Sequence, residues 1–283
     1  MKKLMFAAAA IAAGVAVADV TSANVVGYQN QPLVGNNGVN WVVATIQDMN
    51  NTLEEQTLGS FKIPTDQAFG GGATIVLEIY GTDGKLKGEY SFCDEENAAG
   101  YGLTYPGWYP LEAMQYWSAT DDDLSNDVIV PFGSGVIITS GEADTTVTFA
   151  GQVLGEKTYR LFGNNGVNWI GNATPVNLTL GDLGIPTDQA FGGGATIVLE
   201  IYGTDGKLKG EYSFCDEENA AGYGLTNPGW YPLEAMQYWS ATDDDLSNDI
   251  PLTSGQMVII TSGEADTTLT LPDPMKVTPA VAE

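Results

Sequence analysis

The sequence predicts an all-β fold of two tandem, homologous β-sandwich or barrel-like domains with short helical insertions. Three observations carry this expectation. Residues 63–127 recur at 185–249 with one visible change, Tyr105 to Asn227. Short runs rich in β-branched and aromatic residues alternate with Gly, Asn and Pro turns, which is the pattern of strands and hairpins. Long helical periodicity is scarce, so the layers are expected to be sheets. The expected division is a leader at 1–18, a first repeat domain at 19–149, a second at 150–272 and a tail at 273–283.

The elements follow in order. Residues 20–34 are β-branched and read as the strand entering the first unit. GNNGVNW at 35–41 recurs at 163–169, and its Asn-Asn-Gly is a turn signal because Asn and Gly tolerate positive φ. Residues 42–62 differ most between the copies, and the second copy is six residues shorter there. QDMNNTLEEQTLGSF at 47–61 has room for a short helix, whereas TPVNLTLGDLG at 174–184 reads as extended with a turn. ATIVLEIY at 73–80 and residues 86–92 form a hairpin about an Asp-Gly turn. CDEENAAGYG is loop-like or a single helical turn, PGWY begins with a turn, and residues 111–117 hold a short helix. Strands follow at 128–130, 136–139 and 145–149, and AGQVLG at 150–155 matches the opening SANVVG, so a strand there should start the second unit.

Charge and the N-terminus narrow the class. Ten Lys and Arg oppose 36 Asp and Glu, there is no histidine, and the formal net charge is −26. A field of that sign repels phosphate backbones and anionic lipid heads, so neither nucleic acid nor a membrane surface is an expected partner. MKKLMFAAAAIAAGVAVA has a basic start, a short apolar run and an Ala-Val-Ala site, the pattern of a secretory signal peptide cleaved before Asp19. The apolar run is short for a membrane span. The protein is therefore expected to be exported, not an integral membrane protein, and extracellular or at a bacterial cell surface.

Several phrases carry a family likeness. A leader followed by TSANVVGY and then GNNGVNW, the joint TTVTFAGQVLGEK at 145–157, NWIGNATPVNLTLGDLG at 168–184, PGWY and PFGSGVIIT span most of the chain. Together they resemble secreted tandem β-repeat proteins of uncharacterised function from the Verrucomicrobia, Lentisphaerae and Kiritimatiellae group of bacteria. The resemblance implies an exported β-repeat protein and brings no catalytic residue with it.

Candidate sites are few. In the acidic loop, Asp121, Asp123, Ser125 and Asp127 place oxygen donors at alternate positions, as do Asp243, Asp245, Ser247 and Asp249 in the second copy. Alternating donors can wrap calcium, the one cofactor the sequence suggests, although the EF-hand glycine and glutamate are missing; a solvated turn is the plainer reading. Tyr105, Trp108, Tyr109 and Trp117, with Trp230, Tyr231 and Trp239, are the candidate ligand-binding residues, because exposed indoles and phenols stack on sugar rings. Trp108 and Trp230 are the anchors in that reading, and core packing is the plainer one. The change from Tyr105 to Asn227 marks an exposed position. Cys93 and Cys215 are equivalent sites whose pairing spacing alone leaves open. Without histidine there is no Ser-His or Cys-His pair, and no catalytic residue is expected.

The leading expectation is a non-catalytic extracellular or cell-surface structural or adhesion protein of a surface layer, filament or matrix. A carbohydrate-binding module is the alternative, and a secreted glycoside hydrolase comes third. The expected partners are further copies of the chain or a cell-surface glycan.

Overall fold

Alternating apolar side chains, one face in and one face out, make most of this chain extended. The computed structural model describes residues 25–43, 45, 56–64, 75–81, 83–131, 133–186 and 197–277. Over them it is an all-β fold with a few short helices. The leader, the opening residues 19–24 and the last residues of the tail lie outside the described residues, as do residues 47–55 of the stretch 47–61 expected to have room for a helix; the rest of that stretch is strand at Gln56–Thr57 and a 3-10 turn at Leu58–Ser60.

The first half contains β1 (Val25–Leu33), β2 (Val39–Val43), β3 (Gln56–Thr57), β4 (Val76–Tyr80), β5 (Leu86–Cys93), α1 (Glu95–Tyr101), β6 (Gly107–Pro110), α2 (Leu111–Gln115), β7 (Ile129–Val130), β8 (Gly135–Thr139) and β9 (Thr145–Val153). Five strands form one antiparallel sheet in the order β2-β8-β4-β5-β6, while β1 pairs with β9 and β3 with β7. The second half contains β10 (Lys157–Leu161), β11 (Val167–Gly171), β12 (Leu178–Thr179), β13 (Val198–Tyr202), β14 (Leu208–Cys215), α3 (Glu217–Tyr223), β15 (Gly229–Pro232), α4 (Leu233–Gln237), β16 (Pro251–Leu252), β17 (Met257–Thr261) and β18 (Thr267–Leu271). Its five-stranded sheet has the order β11-β17-β13-β14-β15, with β10–β18 and β12–β16 beside it.

In the first half the core lies between the large sheet and the two ribbons. Leu77 and Ile79 of β4 are buried while the residues between them are only half-buried, which is the period-two pattern of a strand with one face inward. They meet Val136 and Ile138 of β8, Leu33 of β1, and Val147 and Phe149 of β9. Phe61 and Phe149 pack edge to face at 4.9 Å.

Two hairpin expectations hold in detail. Asn36 and Asn37 both sit at φ 57°, the left-handed region that Asn tolerates. Gly84 of the Asp-Gly turn has φ 69°, where a side chain would be strained. One boundary differs from expectation. β9 does not stop at Phe149 but runs on to Val153, pairing Val25 through Leu33 against Val153 through Thr145. The strand thus runs on through Ala150–Val153, where Val25–Gly27 pairs with Val153–Gly151, and β10 follows at Lys157–Leu161.

The halves meet at β2 and β11, the outer strands of the two large sheets. The Trp41 amide donates to the Thr204 carbonyl at 3.1 Å and the Val43 amide to the Gly255 carbonyl at 3.2 Å. Four rings pile up across the contact: Tyr202 on Trp41 at 4.6 Å, Trp41 on Trp169 at 5.3 Å, and Trp169 on Tyr80 at 4.5 Å. Among the described residues no helix is long and apolar enough to cross a membrane.

Candidate functional site: an exposed aromatic face in each half

The outer side of β5 and β6 carries the two short helices and a small core of its own. α1 begins where the Asp94 carboxylate accepts from the Asn97 amide at 3.0 Å. Glu95 and Glu96 fill its first turn, where the helix dipole favours acidic groups. It ends at Gly102, φ 78°, with the Leu103 amide donating back to Ala98 at 2.8 Å. The segment read as loop-like or a single helical turn is a seven-residue helix, and the Asp94 cap with the Gly102 stop was the signal for its full length. α2 follows Pro110, buries Met114 and ends at Tyr116. Beneath the helices Cys93, Ala98, Leu103, Tyr109 and Met114 form a closed satellite core.

Trp117 is the first residue past this helix. Its φ is 56°, a left-handed conformation that glycine adopts freely and a bulky side chain seldom does. The turn is closed by the Trp117 amide on Met114 at 3.2 Å and the Ser118 amide on Ala113 at 2.9 Å. The consequence is an indole that is 60% exposed, stacked on the Tyr101 ring at 4.4 Å. Tyr116 beside it is 74% exposed. The second half repeats the arrangement, with Trp239 at φ 56° and stacked on Tyr223 at 4.4 Å, and with Tyr238 exposed. Tyr105 is exposed, as the Tyr-to-Asn difference required, and lies in the turn between α1 and β6.

The other aromatic expectations are corrected. Trp108 and Tyr109, and likewise Trp230 and Tyr231, are essentially fully buried. PGWY begins with a strand and not a turn: its Gly-Trp-Tyr-Pro is β6, paired with β5 at the edge of the sheet. Gly107, φ 150°, lets Asn126 come close enough for its side-chain oxygen to accept from the Trp108 amide at 3.0 Å, and a Cβ on Gly107 would lie 2.5 Å from that oxygen. The Trp108 ring then packs into the main core beside Phe92. Tyr109 points the opposite way, into the satellite core, and donates to the Tyr105 carbonyl at 2.7 Å. Burial raises its phenol to about 12. These rings cannot anchor a sugar.

The acidic loop is a 3-10 turn over Asp121–Asp123. Asp121 accepts from the Thr104 amide at 2.7 Å, and Asp123 accepts from both the amide and the hydroxyl of Thr120 at 2.8 Å. Those bonds hold the Asp121 carboxyl below its ordinary value, the Thr104 amide first, and the Asp123 carboxyl likewise, the Thr120 hydroxyl first. Ser125 is buried and donates to the Asp123 carbonyl at 2.9 Å, while Asp127 is exposed. Asp243, Asp245, Ser247 and Asp249 repeat this. The residues that alternate along the chain thus cap and brace their own backbone; among the described residues no three Asp, Glu or Cys side chains gather as a metal-ligand group. Cys93 and Cys215 are both fully buried, each in its own satellite core, and they are not bridged.

No family model matches the chain, and no curated protein and no solved structure matches it either.

Proposed function

We propose that the chain is a non-catalytic exported adhesion protein that holds glycan chains on two equivalent aromatic faces, Tyr101–Trp117 with Tyr116 and Tyr223–Trp239 with Tyr238. The leader-like MKKLMFAAAAIAAGVAVA supports export, and the TSANVVGY, PGWY and PFGSGVIIT phrases support grouping with secreted β-repeat proteins of the Verrucomicrobia, Lentisphaerae and Kiritimatiellae bacteria.

One observation carries the reading. A tryptophan occupies a left-handed helix end, where glycine would be the unstrained choice, and spends its large apolar ring on solvent. Backbone strain of this kind persists where something else is gained, and it concentrates at binding sites. A stacked indole and phenol offer a flat apolar surface to the C–H face of a pyranose. The net charge of −26 disfavours sulfated or uronic chains, so neutral glycans are the expected class. Two such faces on one chain give bivalent attachment, which raises apparent affinity without new contacts.

The test is a screen of neutral and acidic polysaccharides against the full chain, followed by titration calorimetry. Trp117→Gly removes the ring and relieves the left-handed strain while losing the stack on Tyr101, so stability should stay within about 1 kcal/mol. Trp117→Gly and Trp239→Gly should each remove one of two sites, and the double variant both. Absence of binding to every glycan by the parent chain, or unchanged binding by the double variant, would overturn the reading.

A further inference from the structure

The contact between the halves comes in matched pairs. Trp41 stacks on Tyr202 as Trp169 stacks on Tyr80, with Trp41 on Trp169 at the centre. A Cβ on Gly206 would lie 2.9 Å from the Trp41 indole nitrogen, and one on Gly84 would lie 3.0 Å from that of Trp169. Gly255 lies against Gln31, and Gly133 against Tyr159. Position 41 corresponds to 169, 80 to 202, 84 to 206, 133 to 255 and 31 to 159 in the two copies. The two halves therefore meet through equivalent faces in a pseudo-two-fold arrangement, alike at the rings and turn glycines and different at Gln31 and Tyr159.

Each face includes a sheet edge. β2 and β11 are the end strands of their sheets, and the Trp41 and Val43 amides donate to carbonyls of the other half. When the halves part, unpaired amides and four apolar rings face water together, which is a template for another copy. The tether between β9 and β10 is only residues 154–156. Gly155 at its centre has no neighbour within 4 Å of where a side chain would start, while Leu154 beside it is buried and must leave its packing for the tether to extend.

We propose that this face exchanges between chains: the first half of one chain takes the second half of another, giving reciprocal dimers and end-to-end filaments. Such a pairing remakes every contact of the closed chain. Pairing two first halves would set Gln31 against Gly133 and leave the space of the Tyr159 ring empty, and pairing two second halves would force the larger ring onto Gly255. Exchange is thus directional, from first half to second. A contact whose two faces lie at different ends of one chain either closes a ring or propagates. The partner is a second copy of this chain, and the idea does not depend on the glycan reading.

Complementation tests it on full-length protein. Trp41→Ala and Trp169→Ala chains, made in two isotopic masses, are unfolded, mixed and refolded at high concentration, then sized by light scattering and native mass spectrometry. In the mixed dimer one interface regains the intact four-ring stack, so it should exceed the two pure dimers roughly two- to tenfold over the statistical ratio. A statistical distribution, or monomer alone, would overturn the proposal. Should either variant fail to refold, the parent chain refolded from micromolar to millimolar concentration, spanning the effective concentration of a short tether, decides instead. Dimers and larger species that grow with concentration and persist on dilution support exchange, and monomer throughout refutes it.

Discussion

A single amide, Asn40, ties three segments of the first half. Its oxygen accepts from the Val34 amide at 2.7 Å, and its nitrogen donates to the carbonyls of Gly38 at 2.9 Å and Ile138 at 3.1 Å. The side chain is fully buried, so truncation would orphan backbone groups that water cannot reach. Asn40→Ala should cost about 2–3 kcal/mol, read as a lower urea midpoint at unchanged slope. Asn168 makes the same bonds to Phe162, Gly166 and Ile260 and should behave alike. The GNNGVNW phrase announced the turn through its Asn-Asn-Gly, but nothing in it distinguished the third Asn as its buried brace. For Trp108 core packing is the reading that holds, and the approach of Asn126 to Gly107 fixes the adjoining backbone. Its indole N–H has no partner among the described residues, so apolar burial is what holds it there.

At the scale of elements, short helices here depend on their caps, because a helix of five to seven residues cannot sustain itself. The Asp121–Asp123 turn is held the same way, with carboxylates as acceptors. Asp121, Asp123, Asp243 and Asp245 all have lowered folded-state values because backbone amides and threonine hydroxyls favour the charged form. Their contribution is complete above the ordinary aspartate value of about 3.9 and is lost as pH falls through the lower folded-state values. Thermal melts should therefore hold this contribution from neutral pH to about 4 and lose it below that. A midpoint that kept rising into stronger acid would show that the caps contribute nothing.

For the whole molecule, the ring stack joins the halves, and its ends are titratable. Tyr80 and Tyr202 are raised to about 12, mainly by burial and then by donation to Glu78 and Glu200. Their neutral forms stabilise the fold fully below the unfolded value of about 10, and that stability is lost as pH climbs through the folded value. Folded chain should thus keep part of its phenol absorbance unionised past pH 10 or so and lose stability between there and about 12. Tyr80→Phe together with Tyr202→Phe should flatten this alkaline loss. An identical profile in that variant would place the sensitivity in other phenols that burial raises, Tyr109 and Tyr231 to about 12 and Tyr159 further still.

The sequence by itself determined what is local or written twice: the β class, the hairpin turns, the copy number of the motif, the exposure of Tyr105 and the strongly acidic surface. Each follows from spacing, from backbone preferences or from comparing one copy with the other. The tertiary structure decided what depends on which distant groups meet. It sent Trp108 and Tyr109 into two different cores, and it turned the acidic loop into a cap by bringing Thr104 to Asp121. It also ran β9 on to Val153 and made a ring stack from four aromatics lying far apart in the chain. The face proposed for glycan binding hinges on the left-handed turn at Trp117. A residue's φ there is set by how α2 closes over the satellite core, and composition and periodicity carry no trace of that.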